Sequence, residues 1–182
     1  MAEQFPALNE KHQAFIQRQQ LYFVATAGME GKVNLSPKGM DSFRIIDEKS
    51  VVWLNLTGSG NETAAHVLEN QRMTVMFCSF EKQPLILRLY GKAKVAYPRN
   101  SRWQALIDLF PDFTGARQLF ELKLDMVQTS CGFAVPFYEF QGERPTLKNW
   151  ADNIGREGTE KYWKEKNGHS LDGKNTGIFE SL

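Results

Sequence analysis

The sequence predicts a mainly β protein, built as a small, closed or partly closed β-barrel with peripheral helices. Short apolar stretches rich in β-branched and aromatic residues recur along the chain between turn residues, as in a meander of strands. One helical pattern is inserted between two of these stretches, which is typical of a barrel with added helices. The 182 residues, 42% hydrophobic and 24% charged, suit a single domain over residues 1–182 with a helical extension from about residue 146.

Eight strands are expected. They are predicted over Leu21–Ala27, Lys32–Ser36, Phe43–Ile46, Val51–Leu54, Arg72–Phe80, Leu85–Tyr97, Leu119–Gln128 and Phe133–Gln141. The second strand is expected to stop at Pro37, because proline cannot donate to a central ladder. Gly91, inside the longest strand, indicates a bulge or a close approach of two backbones.

Helices are predicted at Asn9–Gln19, from Asn61 onward, and at Asn100–Phe110, where Trp103, Ile107 and Phe110 are spaced as a core face. Asn9 and Asn61 are the expected N-caps. His12, in the first helix, is expected to be solvated. After residue 146 the pattern predicts two short helices broken at Gly155 and Gly158, then a polar tail whose last dozen residues are mobile.

Charge and composition argue against several classes of protein. The net charge of +1, from 22 basic and 21 acidic residues, gives no basis for binding nucleic acid. Cys78 and Cys131 match no metal or redox spacing and are expected to be buried thiols, and the three histidines indicate no zinc site. No stretch is long enough to span a bilayer and the first residues carry no apolar leader, so we expect a cytoplasmic protein without metal.

The stretch Val51–Asn70 predicts an anion site. A strand leads through Thr57, Gly58, Ser59 and Gly60 into the helix that opens at Asn61. Free amides at a helix N-terminus and the positive end of the helix dipole bind phosphate. The alternative is a plain strand-to-helix connection, since the stretch is not a P-loop.

Two further features could serve the same anion. Ser36 and Lys38 fall close together at a strand end, although a polar strand end is the other interpretation. Arg88 interrupts an apolar strand and therefore needs a partner, either a carboxylate or a phosphate. The short polar side chains after the Leu119 strand could hydrogen-bond a heterocycle or simply satisfy the strand end.

The ordered set LYFVATA, NLSPKG, VVWLNL, AAHVLENQR, MTVMF and LRLYGKAKV resembles the pyridoxamine 5′-phosphate oxidase-like family of FMN-binding split barrels, over roughly Phe15 to Val127. The resemblance implies an FMN-dependent oxidoreductase acting on a small molecule. It also implies a homodimer with two FMN molecules at the subunit interface, each contacted by both chains.

The resemblance also assigns cofactor-binding residues. Asn34, Leu35, Ser36 and Lys38 would contact the ribityl chain and phosphate, and Asn55 with Leu56 would contact the flavin ring through the backbone. Asn61, Glu62 and Thr63 fall at the loop and helix start, Arg88 would hold the phosphate, and Gln128, Thr129 and Ser130 match the segment of the second subunit. No residue is assigned a catalytic role.

The sequence departs from the family pattern at two places. True pyridoxamine phosphate oxidases open the helix with Ser-Arg-Lys, where this chain has Glu62, Thr63 and Ala64. They also carry an Arg-x-His near the C-terminus, which the stretch Glu143–Trp150 lacks. A substrate site rebuilt around aromatic residues such as Trp150 and Tyr138 is therefore expected in place of one for vitamin B6.

Three alternatives remain at this stage. The chain could be a non-catalytic flavin-binding module of the same fold, because a fold does not guarantee a reaction. It could be a haem-binding split barrel, which needs an accessible axial ligand such as His66. An oligonucleotide-binding barrel needs a basic groove studded with aromatic residues, and the near-neutral charge argues against it.

Overall fold

The protein, described over residues 2–179 by a computed structural model, is built on one antiparallel sheet of eight strands. The strands are β1 (Glu3–Phe5), β2 (Tyr22–Thr26), β3 (Asn34–Lys38), β4 (Phe43–Asp47), β5 (Ser50–Leu56), β6 (Arg72–Cys78), β7 (Ile86–Ala96) and β8 (Ala116–Ser130). The helices are α1 (Glu10–Gln17), α2 (Glu62–Asn70), α3 (Ser101–Ile107) and α4 (Thr146–Lys166). The predicted mainly β barrel with peripheral helices is confirmed.

The sheet order is β3-β2-β6-β7-β8-β5-β4, and β1 also pairs with β8. The 15-residue strand β8 organises the sheet because it pairs with β7, β5 and β1. Alternate side chains of the strands fill the interior, where Trp53 stacks on Phe120 at 4.8 Å between ring centroids. A second apolar cluster on the outside lies under α3, where Trp103, Leu106 and Phe110 pack on Val52 and Leu54. Trp103 and Phe110 were expected in this core face, whereas the expected Ile107 is only partly buried and Leu106 takes the buried position.

Strand β3 lies at an edge of the sheet, and this position corrects one expectation. The strand continues through Pro37 to Lys38 instead of stopping at Pro37. Proline is tolerated there because β2 pairs with one side of β3 only, so the missing N–H breaks no second ladder. Lys38 Nζ lies 5.0 Å from the centre of the Trp53 ring, which brings the edge strand close to β5. The side chains between them form a cleft in the barrel wall.

Gly91 marks both a bulge and a close approach. The register of β7 on β8 shifts between Tyr90 and Gly91. A Cβ atom at Gly91 would overlap the carbonyl oxygen of Lys123 on β8. The strand therefore requires glycine here, as predicted.

The C-terminal segment, defined here as residues 167–179, packs back onto the barrel. Thr176 and Ile178 are buried, and the Arg99 guanidinium donates to the carbonyl oxygens of Gly177 and Ile178, both at 2.6 Å. The expectation of a mobile tail is therefore wrong for residues 171–179, and its last three residues lie outside the described part of the chain. Helix α4 is interrupted only at Gly155 (φ 68°, ψ 179°), whereas Gly158 remains helical.

Four local expectations have clear outcomes. Asn9 caps α1 by accepting from the His12 N–H at 2.9 Å, as predicted. His12 itself is only 5% exposed and packs edge-on against Phe5, so the expectation that it is solvated is wrong. Cys78 is buried but Cys131 is exposed, because it follows the end of β8. Residues 133–141 form no strand, since the chain leaves the sheet at the end of β8.

Two absences apply to residues 2–179. None of their helices combines the length and apolar character needed to cross a bilayer. Within the same range, no three histidine, cysteine or acidic side chains cluster as a metal site would require.

Candidate flavin site

A cavity of about 290 Å³ lies between strands β3 and β5, the loop that follows β5 and the start of α2. Eight of the thirteen residues expected at a cofactor site line it: Asn34, Ser36, Lys38, Asn55, Leu56, Asn61, Glu62 and Thr63. Trp53, Gly58, Ser59, Gly60 and Arg117 complete the lining. Residues expected from three separate stretches of the chain therefore line one cavity.

Strand β3 supplies three polar side chains because they alternate along its inner face. Asn34, Ser36 and Lys38 pair with Thr26, Val24 and Tyr22 of β2, which are buried, so they point to the same side. Asn34 Nδ2 donates to Thr63 Oγ1 at 3.2 Å and so ties β3 to the start of α2.

Leu35 points the other way and is 64% exposed. Its side chain does not line the cavity, so only its backbone could contact a ligand there. The physical reason is the strand period of two, which turns successive side chains to opposite faces.

Strand β5 forms the opposite wall. Asn55 is buried and its Nδ2 donates to Gln118 Oε1 on β8 at 2.9 Å. Gln118 Nε2 is buried and has no partner among the described residues. An unsatisfied donor of this kind costs free energy, and an acceptor placed beside Asn55 could relieve the cost.

Asn61 lines the cavity but does not cap α2 as expected. Its side chain makes no capping hydrogen bond. Instead Nδ2 donates to the Asn167 carbonyl oxygen at 3.1 Å, and Oδ1 is buried without a partner in the described chain. The first-turn amides of α2 are consequently not taken by the Asn61 side chain.

Arg117, at the start of β8, was not predicted. It is 2% exposed, and its Nη1 and Nη2 donate to the carbonyl oxygens of Gly58 (3.4 Å) and Gly60 (3.1 Å). Nη1 also donates to Asn167 Oδ1 at 2.7 Å, while Nε is buried and unpartnered across residues 2–179. The available signal was a polar Arg-Gln pair directly before an apolar strand, which the predicted strand, beginning at Leu119, left out.

The cavity carries unmatched positive charge. Burial, and repulsion from Arg117, lower the pKa of Lys38 to about 8. Burial lowers the pKa of Arg117 to about 10. Within residues 2–179 neither cation forms an ion pair. The nearby carboxylate of Glu62 instead accepts from the Leu171 N–H at 2.9 and 3.0 Å. The cavity is therefore suited to an anion.

A larger cavity of about 430 Å³ lies beside α1 and is less suited to this chemistry. Its arginine, Arg44, already pairs with Asp41 at 2.7 Å and stacks on Phe110. Within residues 2–179, no cation without an ion-pair partner lines this larger cavity.

Arg88 and the end of β8 form a separate face. Arg88 lies between the fully buried Leu87 and Leu89, so it points out of the barrel, and its Nη1 donates to Ser130 Oγ at 3.1 Å. Gln128 lies opposite Arg88 and accepts from the Tyr90 hydroxyl at 3.3 Å. None of Arg88, Gln128, Thr129 and Ser130 lines the cavity of their own chain. Of the two alternatives for Arg88, a carboxylate or a phosphate, the carboxylate partner is absent from residues 2–179.

The aromatic residues expected at the substrate site also lie elsewhere. Trp150 packs edge-on against Tyr162 of α4, and the exposed Tyr138 packs against Phe80. His66 is 1% exposed and its Nδ1 lies 3.0 Å from Thr26 Oγ1. It therefore offers no accessible axial ligand to a haem.

Comparison with known proteins identifies the family. The model of the pyridoxamine 5′-phosphate oxidase family matches residues 8–131, about two-thirds of the chain. The chain belongs to the pyridoxamine 5′-phosphate oxidase family. A pyridoxamine 5′-phosphate oxidase family protein of Aspergillus flavus, ustO, is 34% identical over 187 residues, which cover 93% of this chain and 75% of that protein.

Solved structures of other proteins share the fold. HupZ from group A Streptococcus superposes with a TM-score of 0.51 at 19% identity, over 65% of this chain and 91% of HupZ. A FAD-binding protein from Mesorhizobium loti gives a TM-score of 0.51 at 11% identity, over 71% of this chain and 97% of that protein. At these identities the likeness shows the split-barrel fold alone.

Proposed function

We propose that the protein is an FMN-binding oxidoreductase of the pyridoxamine 5′-phosphate oxidase family that acts on a small molecule. The observation that carries the proposal is the pair of unmatched cations beside the start of α2, the half-buried Lys38 and the buried Arg117. The family membership and the FAD-binding relative of similar fold support a flavin as the ligand.

The chemistry of the cavity fits a flavin phosphate. A phosphate dianion would offset the charge of Lys38 and accept from the unpartnered Nε of Arg117. The hydroxyl groups of Ser36 and Thr63 and the first-turn amides of α2 are further donors.

The remaining polar groups fit the ribityl chain and the ring. Asn34 and Asn55 present amide groups along the two walls of the cleft, and the backbone of Leu56 borders it. At about 290 Å³ the cavity suits the phosphate end of FMN, so the ring would extend along the cleft beyond it.

A homodimer would complete the site. Arg88 lacks a carboxylate partner in the described chain and lies on a face apart from the cavity, so it is available to a flavin held by a partner subunit. Gln128 and Ser130 adjoin it. Exposed apolar side chains, including Val33, Leu35, Phe133 and Phe137, provide surface that association would bury.

Bound FMN would supply the redox chemistry, because its ring can accept a hydride or electrons. The protein would hold the phosphate with Lys38, Arg117 and the start of α2, and orient the ring from the β5 wall.

The test is the absorption spectrum of protein purified without added cofactor, followed by titration with FMN and with riboflavin. We expect an oxidised-flavin spectrum that persists through gel filtration, and tighter binding of FMN than of riboflavin. Protein that takes up neither flavin would disprove the proposal, and a Soret band would move the assignment to haem.

Catalysis requires a second measurement. The bound flavin should be reduced by NADPH, NADH or another donor and then reoxidised. A flavin that binds tightly but that no donor reduces would make the protein a non-catalytic flavin-binding module.

A further inference from the structure

Asn167 connects the cavity to a part of the chain outside the matched family region. It follows α4 at position 167, whereas the family model matches residues 8–131. Its exposed fraction is 0%. A fully buried asparagine beside a cofactor cavity requires its polar atoms to be satisfied, so its partners define its role.

The Asn167 side chain holds the loop that borders the cavity. Its Nδ2 donates to the carbonyl oxygens of Gly58 at 3.1 Å and Ser59 at 3.4 Å, and its Oδ1 accepts from Arg117. Its carbonyl oxygen also accepts from Asn61 Nδ2 and from Thr176 Oγ1 at 2.6 Å. One residue thus joins the loop, β8, the start of α2 and the C-terminal segment.

Together Asn167 and Arg117 engage three successive carbonyl groups. The carbonyl oxygens of Gly58, Ser59 and Gly60 all accept from these two buried side chains. Carbonyl oxygens repel phosphate oxygens, so fixing them on protein donors removes the groups least compatible with an anion. A loop that is already ordered also saves the entropy that binding would otherwise cost.

The same contact orients Arg117. Its guanidinium is held by Asn167 Oδ1 and two loop carbonyls, which are neutral acceptors, so its full charge remains uncompensated beside Lys38. A carboxylate in the place of Asn167 would neutralise that charge. The carboxamide therefore positions the arginine without cancelling its attraction for an anion.

We propose that Asn167 is a positioning residue that fixes the Gly58–Gly60 loop and Arg117 for a phosphomonoester, and so makes the site select FMN over riboflavin. The inference rests on the proposed function. It places a specificity determinant in the segment after α4, outside the barrel strands.

The test compares FMN with riboflavin, because only FMN carries the phosphate. Dissociation constants for both flavins are measured by fluorescence quenching for the wild type, Asn167→Ala and Asn167→Asp. We expect Asn167→Ala to weaken FMN binding about tenfold and riboflavin binding less than about twofold, as loss of ordered, charge-assisted contacts predicts. Asn167→Asp retains the volume and the bond to Arg117 but replaces the donor to Gly58 and Ser59 by an oxygen and neutralises the arginine, so it should weaken FMN binding at least as much.

Asp172→Asn is the matched control. It alters the C-terminal segment at its ion pair with Lys32 (2.9 Å) and leaves the contacts of Asn167 intact, so the preference for FMN should not change. Parallel weakening of both flavins in the folded Asn167 variants would assign Asn167 a merely structural role, and unchanged FMN binding would exclude any role. Wild-type protein without a preference for FMN would instead refute the proposed phosphate site itself.

Discussion

At the scale of single residues, the protein holds a half-buried cation, Lys38, and a buried one, Arg117, that no carboxylate of residues 2–179 neutralises. Lys38 lies over the Trp53 ring at 5.0 Å, and Arg117 is held by neutral oxygen atoms. Removing a cation from water without an anionic partner costs free energy, and a bound anion can offset this cost. The flavin-free protein should accordingly be less stable than its complex.

The first prediction concerns the unfolding free energy of flavin-free protein. The pKa of Lys38 is about 8 in the folded state, against 10.5 as the ordinary value, so between these pH values the unfolded chain binds more protons. Stability then rises with pH across that window. Between pH 8 and pH 10, the unfolding free energy of the wild-type protein should rise by at most about 3 kcal/mol more than that of Lys38→Met. Urea unfolding at both pH values measures this difference. Equal changes in both proteins would contradict the assignment.

The second prediction concerns FMN affinity, which should fall with rising pH, whereas the unfolding free energy rises. Lys38 must be protonated to attract a phosphate, so FMN affinity should fall as pH rises above about 8, by as much as about tenfold per pH unit. Riboflavin affinity should stay nearly constant up to about pH 9.5, since it has no phosphate. Titrations of both flavins check this, and Lys38→Met should abolish the slope for FMN.

Sequence reasoning identified part of the site at this scale and missed another part. Asn34, Ser36 and Lys38 were predictable because strand periodicity places them on one face. Asn61 was wrongly expected to cap α2, because its side chain instead donates to the carbonyl oxygen of Asn167, 106 residues away. Arg117 was missed because an isolated arginine at a strand start reveals nothing about its burial.

At the scale of elements, the pairing of β7 with β8 depends on a single glycine. The long ladder between these strands contains a register shift at Gly91, where the backbone of Lys123 occupies the space of a side chain. Both strands also bear the outward face with Arg88. The geometry of that face therefore depends on the bulge.

The third prediction is that Gly91→Ala destabilises the protein by about 3 kcal/mol, because the added methyl group meets backbone atoms that cannot rotate away. Gly168→Ala is the control, since a Cβ there meets no atom within 4 Å. Thermal unfolding of both variants checks the difference. Similar melting temperatures for the two would show that β8 adjusts to the bulge.

Most elements were predictable because their apolar periodicity is strong. Strands β2 and β4 to β8, and helices α1 to α3, lie where the patterns indicated, within a few residues. The short strand β1 was missed, since three residues, two of them exposed, have no period to detect. The extent of β3 was misjudged because the sequence does not reveal that the strand lies at an edge.

At the scale of the whole molecule, the two sets of predicted flavin contacts lie on different faces of one chain. Lys38 lines the cavity, whereas Arg88 points outward from β7. A homodimer with a twofold axis could place the Arg88 of each chain against the flavin of the other. Each flavin would then need residues from both subunits.

The fourth prediction uses subunit mixing. Lys38→Met and Arg88→Met should each weaken FMN binding, and unfolding followed by joint refolding should restore tight binding in about a quarter of the sites, because each mixed dimer contains one intact site. Fluorescence titration measures that fraction, and each variant refolded alone is the control. Absence of restoration would mean that both residues act within one chain, or that the protein is monomeric.

At this scale the barrel was predictable from the sequence, but the packing of the C-terminal segment onto it was not. A meander with one inserted helix indicated a barrel, and the resemblance of six ordered motifs indicated the family. The ordered C-terminal segment could not be foreseen, because its polar composition is typical of a mobile tail. Its burial depends on partners such as Arg99, which only the folded chain brings near.

The contacts of Asn167 have a consequence for the time course of folding. The loop and Asn167 are separated by 109 residues, and contacts between distant residues carry a high entropic cost of closure. We expect the barrel strands to pair before this contact forms. In refolding experiments, burial of Trp53 on strand β5 should precede recovery of flavin binding, so that the ability to hold a cofactor appears in the last kinetic phase.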